Sequence, residues 1–222
     1  MKAILISFDI KTAFSNMETD LSLMERASSE EAVFLRFYKW KNKTISFGKF
    51  QKVDCKIQQN LRNQGFDIVF RPSGGRAVIH HNDITYCFTA PLKFFSSKDT
   101  KSIYRKITFP IIKSLQKYTE ENIDITRSSD KKYFSKESCF SSLSLYEISV
   151  EGKKILGSAQ YKTCDSVLQH GTFYYDYPDI PENYLENYVK NIKTVKIPDV
   201  QKFINHTAEF YENELKIKWV SE

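Results

Sequence analysis

Residues 71–91 read RPSGGRAVIHHNDITYCFTAP. A short apolar run, residues 67–70, leads into this stretch, and a second, residues 77–80, follows Arg76. Between the two runs stand Ser73, Gly74 and Gly75, flanked by the cations Arg71 and Arg76. Glycine permits positive φ and a close approach of main chain, and successive exposed N–H groups make a nest for an anion or a carbonyl oxygen. On the glycines alone the stretch predicts a β-hairpin with a bulged turn. It is not a familiar phosphate loop, since there is no GxxxxGK(S/T) and no GxGxxG that opens a helix.

Outward from that stretch, the apolar pattern alternates between strand and helix periods. Residues 16–28 put Met17, Leu21, Met24 and Ala27 on one helical face, with Asn16 as the cap. Residues 34–40 alternate as a strand, 41–43 turn, and 44–50 make its partner strand, ending near Gly48. Residues 54–64 form a short helix stopped by Gly65. Residues 94–99 read as a loop, and 103–118 as a helix that Pro110 should kink or break. Residues 127–138 are polar and serine-rich and read as a mobile loop that delivers the chain to Cys139 and Phe140. Two strand runs, 144–150 and 154–159, flank a turn at Glu151 and Gly152; 165–174 is a third run, and 184–190 and 200–215 are helices. No repeat or Gly/Pro-rich linker interrupts the chain. The expectation is one α+β domain over residues 1–222, with a mixed or mostly antiparallel sheet covered by helices.

The chain has 222 residues, 41% of them hydrophobic, which suits a domain with an ample core. No apolar run approaches the ~20 residues that span a bilayer. The apolar N-terminal patch is short, broken by Asp9 and Lys11, and has no cleavage pattern after it, so no signal peptide is read. Cys55, Cys87, Cys139 and Cys164 have no CxxC spacing and suggest thiols in a reducing compartment, hence a cytoplasmic location. Net charge is +6, but the basic residues are scattered and no nucleic-acid motif occurs. Nucleic acid and membrane are therefore not expected partners. No set of His, Cys and carboxylates has metal-site spacing, and there is no GxSxG elbow.

Cys139 stands at the end of the polar loop, and Lys154 at the start of a strand. A catalytic thiol reacts as thiolate, which a neighbouring ammonium favours, and a lysine there could also move a proton. Spacing alone leaves a second reading open, in which Cys139 is a small buried hydrophobe and Lys154 a surface residue after a turn. Cys87 lies in a strand-like run and reads as core; Cys55 opens a helix and Cys164 sits in a turn. Gly157, Ser158, Ala159 and Gln160 form a small-residue strand that packs closely on a neighbour. His80 and His170 are placed in a pocket wall rather than in the chemistry, and His81 and His206 receive no role.

The run GGRAV at 74–78 with His80 and then ITY, the SCF at 138–140, the LYEISVEGKKILGSAQ at 145–160 and the LQHG at 168–171 occur in an order that resembles one family. It is the lipoate-protein ligase and octanoyltransferase family, related to biotin-protein ligases (BPL/LplA/LipB). Within it these motifs are most similar to the cysteine-dependent octanoyltransferases of the LipM type. The resemblance covers roughly residues 15–190. It implies the ligase-like catalytic fold, Cys139 as the acyl carrier and Lys154 as the essential lysine. It implies a substrate site built from Arg71, Ser73, Gly74, Gly75, Arg76, Ala77, His80, Gly157, Ser158, Ala159, Gln160, His170 and Gly171. The implied donor is octanoyl-acyl carrier protein; the implied acceptor is a lysine of the glycine-cleavage H protein or of a lipoyl domain of a 2-oxoacid dehydrogenase. No cofactor is implied, because the incoming thioester is already activated, and a monomer is expected. Two rivals from the same resemblance are an ATP- and magnesium-dependent lipoate-protein ligase and an amidotransferase that moves octanoyl between carrier proteins. Arg76 counts against the ligase, since ligases tend to carry a third small residue there, as do Cys139 and the short C-terminal part.

Overall fold

The computed structural model describes residues 1–120, 122–125, 148–181 and 191–222. Along them run β1 (Lys2–Lys11), α1 (Ala13–Ser29), β2 (Ala32–Trp40), β3 (Thr44–Phe47), α2 (Cys55–Asn63), β4 (Asp67–Phe70), β5 (Val78–His80) and β6 (Asp83–Pro91). There follow α3 (Thr100–Gln116), β7 (Asp124–Ile125), β8 (Ile148–Val150), β9 (Lys153–Lys162), β10 (Ser166–Tyr174), α4 (Val200–Leu215) and β11 (Trp219–Ser221). The architecture is α+β, with two sheets of order β11-β1-β2-β6-β10-β9-β8-β7 and β4-β3-β5. In the large sheet β1 runs parallel to β2 and β11, and the other pairings are antiparallel.

Every residue of β6 and β10 is buried, so the centre of the large sheet is covered on both faces. Side chains alternate across a strand, and the register sorts them. Phe37 of β2 lies opposite Tyr86 of β6 and both join the cluster that holds Ile107, Ile111, Phe203 and Tyr211 of α3 and α4. Tyr38 and Cys87, one residue along each strand, join Met17 and Met24 of α1 on the other face. Burial of such aromatic and aliphatic side chains, about 1.5–3 kcal/mol each, holds the helices to the sheet.

Several expectations change at this level. The apolar runs on either side of the glycines do not form a hairpin. β3 lies between β4 and β5, pairing Ile45 with Ile68 in parallel and with Ile79 antiparallel. Nor is β3 the partner of β2, because both edges of β2 are occupied, by β1 and β6. α1 starts at Ala13, capped by the Thr12 hydroxyl, which accepts from the Ser15 N–H at 3.3 Å. Asn16 is not the cap; it lies inside the helix and is fully buried. α3 runs through Pro110 without a break, its Ile103, Ile107, Ile111 and Leu115 buried along one side. That apolar stripe outweighs the one backbone hydrogen bond a proline removes. β1 and β11, read as no element in the sequence, both extend the large sheet.

Other expectations hold. Asp54 caps α2, and Gly65 follows it at φ +83°. Glu151 and Gly152, at φ 51° and 74°, make the two-residue connection of β8 to β9, the left-handed pair that fits a hairpin's twist. The C-terminal helix over 200–215 is α4. Residues 126–147, with the serine-rich stretch, Cys139 and the first part of the 144–150 run, lie outside the described residues, as does the helix expected over 184–190. No helix among the described residues is long and apolar enough to cross a membrane.

Candidate functional site

The glycine loop, residues 71–77, crosses the end of β3 and faces β9 and β10 of the large sheet. Its path is fixed by main-chain bonds, Arg71 N–H to Phe47 O at 2.8 Å and Lys49 N–H to Ser73 O at 2.9 Å. It also depends on Gly48, where an added Cβ would sit 2.0 Å from Gly75 O. Gly75 itself has φ 91°, open to glycine and strained for other residues. The Arg71 side chain is the internal strut. Nη1 donates to Ser46 O (2.5 Å) and Ser46 Oγ (2.8 Å), and Nη2 to Gly74 O (3.2 Å) and Arg76 O (2.8 Å). One planar guanidinium thus ties β3 to both shoulders of the glycine turn.

Beside this loop lies a cavity of about 60 Å3. Of the residues expected in a substrate site, Arg71, Gly75, His80, Gly157, Ser158, Ala159, His170 and Gly171 line it, and so does Lys154. The antiparallel register explains the convergence: His170, Gly171 and Thr172 of β10 lie opposite Ala159, Ser158 and Gly157 of β9. Gly171 has no room for a side chain, since a Cβ there would meet Ser158 Oγ at 2.3 Å and Tyr86 Cε1 at 2.6 Å. Lys154, at the start of β9, is only 2% exposed, so the reading of a surface lysine after a turn is wrong. The strand carries its side chain inward opposite Ser149.

Five expected residues do not line the cavity. Ser73 is fully buried and lies 2.6 Å from His170 Nε2. Gly74 and Arg76 offer carbonyls to Arg71. Ala77 is buried in the cluster of the small sheet. Gln160 bonds Gln169 across the strands at 2.8 Å.

Behind the wall, two hydrogen-bonded chains run from carboxylate to serine. In the first, Asp83 Oδ2 is 2.9 Å from His80 Nδ1, and His80 Nε2 is 2.7 Å from Ser46 Oγ. Burial pushes the His80 imidazole below its ordinary range despite Asp83, so the neutral ring accepts at Nε2. Its ring stacks on Trp40 at 4.0 Å. In the second chain, Asp20 Oδ2 is 3.3 Å from His170 Nδ1, and His170 Nε2 is 2.6 Å from Ser73 Oγ. Asp20 Oδ2 also accepts from Tyr38 OH at 2.9 Å, and Oδ1 accepts from Arg36 Nη1 at 3.0 Å. Arg36 Nη2 reaches Asp9 (2.8 Å) and Asn16 Oδ1 (2.6 Å). Burial, helped by Asp20, pushes Tyr38 well up. Both chains end on groups that hold the glycine loop, so α1, β2, β6 and β10 together fix its position.

The thiols differ sharply. Burial pushes the Cys87 thiol well up, which makes it an inert core group. Cys55 and Cys164 are exposed, and a hydrogen bond to Asp165 raises Cys164. Cys139 lies outside the described residues. Among the described residues no group of three His, Cys, Asp or Glu side chains is arranged to hold a metal ion.

A family profile described as "Lipoyl protein ligase A/B catalytic domain" matches residues 12–221. The chain belongs to this family. An octanoyltransferase LipM of Carboxydothermus hydrogenoformans is 34% identical over 161 residues, 70% of this chain and 58% of that one. A LipM of Staphylococcus epidermidis is 32% identical over 174 residues, 75% of this chain and 63% of that one. The matched part thus spans about three fifths of these curated relatives' length, 58% and 63%. A structure of a bi-partite archaeal lipoate protein ligase from Thermoplasma acidophilum aligns with a TM-score of 0.75 at 16% identity. It covers 100% of this chain and 87% of that one, a likeness of fold.

In this lipoyl protein ligase A/B family member, sequence reasoning missed Asn16, Asp20, Arg36 and Tyr38. A signal was present. Asn16 and Asp20 are four residues apart on the helical face that also carries Met17 and Met24, and Arg36 sits inside the apolar run of 32–40. Polar groups on a buried face require partners, and here they are one another's.

Proposed function

We propose that the chain acts in lipoyl-protein metabolism as an octanoyltransferase that works through a cysteine thioester. The observation that carries this reading is Lys154, a buried amine in the wall of the cavity beside the glycine loop and the small-residue strand 157–159. A solvated surface lysine would have no such place. In the proposed reaction the Cys139 thiolate attacks the thioester carbonyl of an octanoyl group on acyl carrier protein. The new C–S bond forms, the bond to the phosphopantetheine sulfur breaks, and that sulfur leaves with a proton supplied through Lys154. Main-chain N–H groups of the glycine loop or of Gly157–Ser158 steady the oxyanion. A lysine amine of the glycine-cleavage H protein or of a lipoyl domain then attacks octanoyl-Cys139. The amide C–N bond forms, the C–S bond breaks, and the amine proton passes to Lys154 or the leaving thiolate. Gly157, Ser158 and Ala159 leave space for the acyl chain, and Arg71, Ser73, His80 and His170 hold the loop that faces it. ATP has no part in these steps.

The test mixes the protein with octanoyl-acyl carrier protein, without nucleotide, and reads the intact mass. An octanoyl adduct that Cys139→Ala abolishes and Cys164→Ala keeps supports the reading. Lys154→Met, which keeps the volume, should slow adduct formation at least about 100-fold. Activity that requires ATP and survives Cys139→Ala would establish the ligase instead, and transfer from octanoylated H protein alone would establish the amidotransferase.

A further inference from the structure

Next to the glycine loop lies the basic segment KFQKVDCK, residues 49–56. Phe50 is 82% exposed, the most exposed large hydrophobic side chain among the described residues. Lys49, Lys52 and Lys56 are also exposed, and among the described residues no ion pair joins any of them to a carboxylate. Some cations elsewhere are paired, Arg26 with Glu30 and Glu222, Lys43 with Asp179, and Lys218 with Glu212, whereas others, Lys101, Lys106 and Lys113 among them, are exposed as these three are. The one acid in the segment, Asp54, uses its carboxylate to cap α2, accepting from the Lys56 N–H at 2.7 Å. A solvated lysine face needs no ligand and one exposed ring is ordinary on a surface, but here a ring and three cations stand together, the Lys49 ammonium 5.9 Å from the Phe50 ring.

The position is as telling as the composition. The Lys49 N–H bonds Ser73 O at 2.9 Å, and Gly48 is packed against Gly75, a residue of the cavity wall. The Lys49 ammonium lies 5.0 Å from the ring of Tyr161, on the same strand as Lys154 and Gly157–Ala159. The patch therefore lies at the rim of the loop and strand that wall the cavity. A partner seated on it would present a tethered group to the cavity without the main chain having to move.

We propose that Lys49, Phe50, Lys52 and Lys56 form the docking surface for the acyl donor, an acidic carrier protein that bears its thioester on a phosphorylated arm. This rests on the transfer reading above and adds where the donor sits. The three lysines face the carrier's carboxylates and the arm's phosphate, and Phe50 inserts between apolar side chains on the carrier helix. Such rim charges set association rate and salt dependence more than they set the chemical step.

The experiment compares the wild type with Lys49→Glu/Lys52→Glu/Lys56→Glu and with Phe50→Ser, none of which belongs to the catalytic machinery. Donors are octanoyl-acyl carrier protein and a small octanoyl thioester of N-acetylcysteamine. For the charge-reversed variant, KM for the carrier should rise at least about tenfold, with turnover of the small thioester within about twofold. Raising salt from 0.05 to 0.5 M should weaken the wild type toward the carrier and leave the variant nearly unchanged. Binding of fluorescently labelled acyl carrier protein to Cys139→Ala protein, with and without the surface changes, reads docking apart from chemistry. Loss of that binding in the surface variants supports the docking surface even if no octanoyl-Cys139 forms. Equal carrier binding by the variants, equal loss with the small thioester, or weakened binding only of a lipoyl-domain acceptor overturns it.

Discussion

Removing the Asp20 carboxylate should be among the most damaging single changes that touch no substrate. Asp20 and Arg36 are both fully buried, with their ion pair at 3.0 Å, and Tyr38 OH donates to the other carboxylate oxygen at 2.9 Å. In Asp20→Ala the Arg36 charge stays in the interior and the Tyr38 hydroxyl loses its acceptor. Breaking a buried pair by removing one partner costs about 3–5 kcal/mol. Here the partly exposed Asp9, 2.8 Å from Arg36 Nη2, and Asn16 at 2.6 Å remain, which puts the expected loss near the lower bound, about 3 kcal/mol. For a chain of this size that is a fall in Tm of about 6–12 °C. Urea titrations followed by tryptophan fluorescence should show a lower midpoint at unchanged m. Because Asp20 also faces His170, and His170 faces Ser73, the variant should lose the proposed octanoyl transfer beyond its loss of folded fraction, measured well below its Tm. Asp9→Ala, which leaves Asp20 in place, should cost about 1 kcal/mol or less, as befits a pair with solvent on one side. A loss below about 1 kcal/mol for Asp20→Ala, or no difference between the two variants, would refute the idea that this carboxylate neutralises Arg36 and anchors the loop.

Gly171→Ala should destabilise by about 1–3 kcal/mol through overpacking and close the cavity against Ser158, read as a lower urea midpoint and slowed adduct formation; wild-type values for both would contradict the packing at 2.3 Å. Gly48→Ala should displace Gly75 and raise KM for the acyl donor while Gly74→Ala, where a Cβ meets nothing within 4 Å, should not. His80 is held below its ordinary 6.5 by burial, so its contribution to stability is present above pH 6.5 and lost as pH falls through its lower folded value; urea midpoints between pH 7 and 5 should fall less in His80→Gln. Burial raises Tyr86 to about 12, and Tyr38 and Tyr211 are raised as well. Their contribution is full below pH 10 and is lost as pH rises through the folded values, so a stability that stayed flat from pH 9 to 12 would contradict their burial.

Much of this was legible because it depends on local rules. The period of 200–215, the turn at Glu151 and Gly152 and the helix stopped by Gly65 follow from side-chain spacing and backbone preference. The motifs GGRAV, GKKILGSAQ and LQHG carry the family resemblance, which the profile match over residues 12–221 bears out. The two glycine-flanking runs show the limit. A hairpin and a crossover present the same alternation to a reader, and only the competition for strand edges separates them: β2 had no free edge, so β3 took both β4 and β5. Pro110 misled for a related reason, since the burial of Ile107 and Ile111 depends on a sheet contributed by distant segments.

The sequence by itself determined the family, the helices α1 to α4 and most of the central strands, because each is written in residues a few positions apart. Tertiary structure decided that Lys154 points inward, that His170 meets both Asp20 and Ser73 across 150 and 97 positions of chain, and that Arg36 is neutralised. Those are pairings of charges and hydrogen bonds across long separations, and no local preference can specify them. They are selected only when the packed sheet removes water from each group and leaves it the partners packed beside it.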